Sequence, residues 1–150
     1  MRLLWSLGLL VGVLALAACD GGSNADGLTW AGPPDPGPDG TIDVSEFAAH
    51  QEDVDERWEG SAAMAAAEFL RLDERTATRT SIESTAGPEG TGPETVVVTL
   101  DGLLDDSIRA ERWTLVFEPD NETYLLLSAR WAQRCQPGRG HQDFSVETCT

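Results

Sequence analysis

The sequence predicts an α+β fold, with one long N-terminal helix packed on a four-stranded antiparallel meander and one C-terminal disulfide. Three observations carry this. Apolar residues recur at three- and four-residue steps from Val44 to Asp73, the period of a helix with one buried face. From Thr76 onward the apolar period drops to two, the period of a half-buried strand. Turn-forming clusters punctuate that second region at Gly87–Pro93, Gly102–Ser107 and Glu118–Glu122, as consecutive hairpins require.

The chain has 150 residues, a length that suits one domain. It carries 26 acidic and 10 basic residues, a net charge of −16, and every basic residue is Arg. Such a balance excludes a phosphate-backbone binder, which needs a basic surface to displace counterions. It also excludes adsorption to anionic lipid by charge alone. No nucleic acid partner is expected.

Residues 1–18 read as an address. Met1 and Arg2 precede an apolar run from Leu3 to Ala15, too short to span a bilayer but of the length of a signal-peptide core. Leu16-Ala17-Ala18-Cys19 follows. This resembles the lipobox of bacterial lipoproteins. The resemblance implies cleavage before Cys19 and acylation of its thiol and new amino group. It implies a protein anchored to the membrane through acyl chains and exposed outside the cytoplasm. Asp20 resembles the inner-membrane retention residue of enterobacterial lipoproteins.

Residues 19–40 read as a tether. Asp20 to Gly40 holds six Gly, four Pro and four Asp, a composition that buries too little apolar surface to offset its ordering entropy. A flexible chain of that length reaches roughly 25 Å. Leu28 and Trp30 are its apolar exceptions, with docking on the domain the open alternative.

The folded domain is expected over residues 41–150. Asp43 and Glu46 read as a capping box that starts a helix over residues 44–73. Its inner face is Phe47, His50 or Gln51, Val54, Trp58, Ala62, Ala65, Phe69 and Leu72, and Gly60 is the position where it would divide. Thr76 to Ala86 is rich in Thr and Ser, with Ile82 its lone large apolar residue, and suits a sheet edge. Val96, Val98 and Leu100 share one side of the next strand; Trp113, Leu115 and Phe117 share one side of the third. In the fourth, Leu125, Leu127, Ala129 and Trp131 do the same. The register that aligns these faces pairs Phe117 with Thr123, Leu115 with Leu125 and Trp113 with Leu127. The arrangement resembles the cystatin-like layout of a helix across a meander, which serves many functions and decides none.

With Cys19 assigned to acylation, Cys135 and Cys149 remain, and in an exported domain two remaining cysteines pair. The bridge closes a loop of 15 residues, worth ~3 kcal/mol on the chain-entropy model. The tail it encloses is polar and glycine-punctuated, and resembles those of uncharacterised bacterial envelope proteins. Two readings of it stand together. Arg130, Arg134, Arg139 and His141, with Asp143, form a basic binding site able to hold a carboxylate. Alternatively the tail is a structural clasp, with Phe144 capping the core.

Asp35 to Phe47 resembles an EF-hand calcium loop. Asp35, Asp39, Gly40, Ile42, Asp43 and Glu46 fall at matching positions, and oxygen donors around a glycine turn suit calcium. Gly37 replaces an acidic ligand and prolines replace the entering helix. The competing reading is an acidic linker that meets a helix start. Asp105-Asp106 reads as a turn. His141 and Asp143 are the sequence's one candidate for an oriented base, and two isolated histidines make no zinc site. The functional expectation is a lipid-anchored, non-catalytic envelope domain that binds a protein or small ligand and needs no cofactor. The alternatives are a small envelope enzyme using His141 and Asp143, or a calcium-dependent module using Asp35, Asp39, Asp43 and Glu46.

Overall fold

A computed structural model describes residues 29–87 and 92–150. The expected signal peptide 1–18, Cys19, and the tether as far as residue 28 lie outside the described residues. The elements in chain order are β1 (Thr41–Ile42), α1 (Ser45–Asp53), a 3₁₀ turn (Arg57–Gly60), α2 (Ala62–Phe69), β2 (Ala77–Thr85), β3 (Glu94–Leu103), β4 (Ile108–Asp120) and β5 (Thr123–Cys135). The strands form one antiparallel sheet in the order β1-β5-β4-β3-β2.

This corrects the expected long helix on a four-stranded meander. The sheet has five strands and dominates, and the helical region is two short helices joined by a 3₁₀ turn. The chain is extended at Val54 (φ −115°, ψ 159°) and again at Ser61 (φ −152°, ψ 125°). Glu52, Asp53, Asp55 and Glu56 explain the first break. A continuous helix would stack these like charges at three- and four-residue spacing, where they repel. A new capping box starts directly afterward, with the Glu56 amide donating to the Glu59 carboxylate at 2.9 Å. The capping box expected at Asp43 and Glu46 does not form. Val44 is the cap residue of α1, and Asp43 instead accepts the Ser45 amide (2.9 Å) and hydroxyl (2.7 Å).

The β4–β5 hairpin departs from the expected register. Asp120 pairs Thr123, so the turn is Asn121-Glu122, with Asn121 at φ 55°. Leu115 faces Ala129 and Trp113 faces Trp131, with an irregularity where Val116 meets Ser128 and Phe117 meets Leu126. The extra residue of this bulge is Leu127, which is half exposed, while Leu126 turns inward and is buried. Gln51, itself buried, closes the gap: it donates to the Tyr124 carbonyl at 2.9 Å and accepts the Leu126 amide at 3.0 Å.

The space between helices and sheet is filled. Phe47, Phe69 and Leu70 meet Val96, Val98, Leu115 and Phe117, all fully buried. Trp30, from the expected tether, belongs to this core at 7% exposure. Its indole N–H donates to the Phe69 carbonyl at 2.8 Å, and Arg71 donates to the Trp30 carbonyl at 2.6 Å. The packed domain therefore includes Trp30 and the segment after it. β1 covers the middle of the free edge of β5, at Ala129 and Arg130, with Trp131 N–H donating to the Gly40 carbonyl at 2.7 Å. The C-terminal tail covers its far end, through Gln133 and Ser145 and through Cys135 N–H to the His141 carbonyl. The Cys135–Cys149 disulfide is present, with Cα atoms 5.4 Å apart, and fixes this covering in place.

Candidate functional site

Alternation along the strands sends Val96, Val98, Leu100, Trp113 and Leu115 to the core, so the intervening residues form the opposite face. Register places them in rows across four strands. Arg79, Asp101, Ala110 and Arg134 form one row, and Ser81, Thr99, Arg112 and Ala132 the next. Glu83, Val97, Thr114 and Arg130 form the third. These rows hold four Arg and two acids in a chain whose overall charge is −16.

Asp101 is the hub. Arg134 reaches its carboxylate at 3.0 Å, Arg79 at 3.1 Å, and Arg109 at 3.5 Å from the irregularity where β4 begins. Three guanidinium groups on one carboxylate leave a local surplus of positive charge. Partial burial pushes the Asp101 carboxyl up. The Arg134 charge and the hydrogen bonds from Arg79 and Arg109 outweigh that and hold it below the usual range. Ala110 lies fully buried beneath this cluster. Beside it Phe144 forms a flat base on which Arg112 stacks at 3.9 Å and Arg134 at 5.2 Å from the ring centre. Arg130 donates to the Asp39 carbonyl at 2.9 Å; the Asp39 carboxyl, held low chiefly by its bonds to Thr41, also feels the Arg130 charge.

The residues expected to form one basic site are thus distributed. Arg134 joins the Asp101 hub and Arg130 stands two rows away. Arg139 turns to the Asp105-Asp106 turn, donating to the Asp106 carbonyl at 3.3 Å. His141 lies in the clasp, its Nδ1 2.8 Å from the Asp143 carbonyl and its Nε2 2.9 Å from the Glu147 carbonyl. Both partners are acceptors, so both ring nitrogens are best satisfied as donors. The bonds to Glu147 and Asp143 accordingly raise the His141 pKa above its ordinary 6.5. An imidazole so bonded offers no lone pair for base catalysis, and it is the backbone of Asp143 that faces it, not its carboxylate. Phe144 lies under arginines on the outer face and does not cap the core. The sequence carries no local signal of Arg79, Arg109 and Arg112, because the site gathers residues from four different strands.

Two of the four acids of the calcium-like loop, Asp39 and Asp43, are otherwise engaged, while Asp35 and Glu46 make no side-chain bond among the described residues that would join them to a common site. Asp39 accepts the Thr41 amide (3.1 Å) and hydroxyl (2.8 Å), and Asp43 bonds Ser45 as above. Among the described residues, the ligand-type side chains that gather within 4.8 Å of one another are Cys135, His141 and Cys149, and two of these are consumed by the disulfide. Asp105 accepts the amides of Ser107 (2.7 Å) and Ile108 (2.6 Å), as a turn former does. No helix among the described residues is long and apolar enough to cross a membrane. The disulfide is compatible with a location outside the cytoplasm. No family model, curated protein or solved structure matches the chain.

Proposed function

We propose that this chain is a non-catalytic binding domain of the bacterial envelope, lipid-anchored through Cys19, whose outer sheet face captures a carboxylate-bearing surface of a partner protein. The observation that carries the reading is the convergence of Arg79, Arg109 and Arg134 on Asp101, flanked by Arg112 and Arg130. Guanidinium groups take carboxylates in pairs of parallel hydrogen bonds, and a flat face of this kind suits a protein surface better than a small ligand. The filled core supports the same choice, because it leaves no apolar chamber between helices and sheet for a buried ligand.

The test is in-cell crosslinking of the tagged, full-length protein against an Arg112→Glu/Arg130→Glu variant. Both make local contacts, Arg112 stacked on Phe144 and Arg130 bonded to the Asp39 carbonyl, so circular dichroism of the variant accompanies the test to show that the fold is retained. Loss of the captured partner in the variant supports the site, and undiminished capture overturns it. Cys19→Ser, followed by membrane fractionation, tests the anchor separately.

A further inference from the structure

On the core face of the sheet, beyond the helices, a cleft of about 490 Å³ opens between two walls. One wall is the proline segment 33–36, and the other is the Asp105–Ser107 turn with the disulfide end of the clasp. Trp113 and Trp131, cross-strand partners on β4 and β5, form its floor. The Trp113 ring already carries a cation: the Arg75 guanidinium lies 5.2 Å from its centre. Arg75 is in turn paired with Glu111 at 3.1 Å, so this corner of the cleft is electrically balanced. Trp131 is half-buried in the same floor, and among the described residues no cation lies over it.

Two more features point to the same class of ligand. Gln133 is 4% exposed and lines the cleft. It donates its amide nitrogen to the Glu147 carbonyl at 2.6 Å, and among the described residues nothing donates to its Oε1. An acceptor that lines the cleft in this way can take an N–H from a ligand. Asp35 and Asp105 stand on opposite walls. Asp106 shares the second wall, where Arg139 lies 3.5 Å from it and also acts on Asp105, so Asp35 is the acid that carries most of the attraction.

We propose that this cleft binds an organic cation, an ammonium or guanidinium on an aliphatic stem. The cation covers the Trp131 ring as Arg75 covers Trp113, donates to Gln133 Oε1, and faces Asp35 and Asp105. The volume fits a small ligand or a single long side chain. A free polyamine and the basic side chain of a peptide share this chemistry. The site lies on the face opposite the arginine rows, takes the opposite charge, and stands independently of the partner proposed above.

The experiment is calorimetric titration of the whole chain with spermidine and, separately, with an end-blocked tri-arginine peptide. The Trp131 indole N–H is followed by NMR. Saturable binding that moves the Trp131 signal is expected. Asp35→Asn, an exposed change that leaves folding intact, should weaken it about fivefold, the scale of one partly screened charge contact. Trp131→Leu should abolish it. Binding of spermidine alone assigns the site to free polyamines, and binding of the peptide alone assigns it to a basic protein segment. An absence of heat with both probes overturns the proposal. So does an unmoved Trp131 signal, or equal weakening by Glu83→Gln on the outer face, which would mark general attraction to an acidic chain.

Discussion

Gln51 supplies Leu126, beside the bulge in β5, with a hydrogen-bond partner: its side-chain oxygen accepts the Leu126 amide at 3.0 Å. Its nitrogen bonds the Tyr124 carbonyl two residues back, at 2.9 Å. A helix side chain thereby stands in for a strand, and the bulge that turns Leu126 inward is bound to α1.

Gln51→Leu should therefore destabilise by roughly 2–3 kcal/mol, although it replaces a polar core residue by an apolar one. It strands a buried donor and acceptor, and an unmet buried group costs more than an average hydrogen bond contributes. Urea denaturation checks this; stability equal to wild type would show that water reaches the bulge.

Gly40→Ala should be costlier than its size suggests. Gly40 sits at φ 78°, and a Cβ there would overlap the Trp131 carbonyl oxygen and come within 2.6 Å of Val146 Cγ1. A loss of about 3 kcal/mol is expected. Gly138→Ala is the control. It shares the positive φ (82°) but meets nothing within 4 Å, so it should lose distinctly less in the same denaturation series.

The clasp should loosen with rising pH. The folded pKa of His141 is raised by its bonds to the Glu147 and Asp143 carbonyls. Its stabilising effect is therefore complete below about pH 6.5 and is lost as pH climbs through the raised value. Hydrogen exchange of the Cys135 and Gln133 amides, compared at about pH 6 and about pH 9 after correction for intrinsic rates, should show the loss. His141→Phe should flatten it; the same pH dependence in that variant would assign the effect elsewhere.

Asp101→Asn separates folding from binding. The carboxylate's depressed pKa marks stability that is present above the ordinary 3.8 and lost as pH falls through the folded value. The variant should be less stable at neutral pH and should lose less on acidification. It should also bind poly-glutamate two- to fivefold more tightly, since about one unit of compensating charge leaves the arginines. Weaker binding would mean that Asp101 positions the arginines more than it offsets them. The gain should shrink as salt rises.

Reduction of Cys135–Cys149 should cost about 3 kcal/mol on the chain-entropy model. Thermal melts with and without a phosphine reductant measure it. An unchanged melting temperature would show that the backbone pairing of Gln133 with Ser145 holds the tail unaided.

The strands were legible because one face is apolar and alternates: Val96, Val98, Leu100 and Trp113, Leu115, Phe117 mark their own strands. The lone Ile82 marked β2 as an edge, and it lies there, 41% exposed. The first helix break was hidden because Trp58 keeps the helical spacing of apolar residues across an extended step at Val54, whereas the second falls at Gly60 and Ser61, where the glycine marked it. The acidic run at the first break, not the apolar pattern, carried the signal. The β5 register was illegible because Leu125, Leu126 and Leu127 offer three equivalent apolar residues, and only the bulge with Gln51 beneath it decides which points inward. β1 is two residues long and had no pattern to show. The arginine rows arise from pairings between residues 79, 101, 112, 130 and 134, and only the register brings those positions together.

The covering of β5 by β1 and by the clasp has a consequence for crowded conditions. A sheet polymerises when bare backbone on one copy meets bare backbone on another. Here one flank is covered by β1 at its middle and by the clasp at its end, and the Gln51 side chain occupies Tyr124 and Leu126 nearer its start. The other flank, β2, offers mainly hydroxyls and charges: Thr78, Arg79, Thr80, Ser81, Glu83 and Ser84. Pairing between copies is then left to β2 alone, and β2 against β2 joins two copies and stops. The fold can therefore be displayed densely without templating fibres of itself.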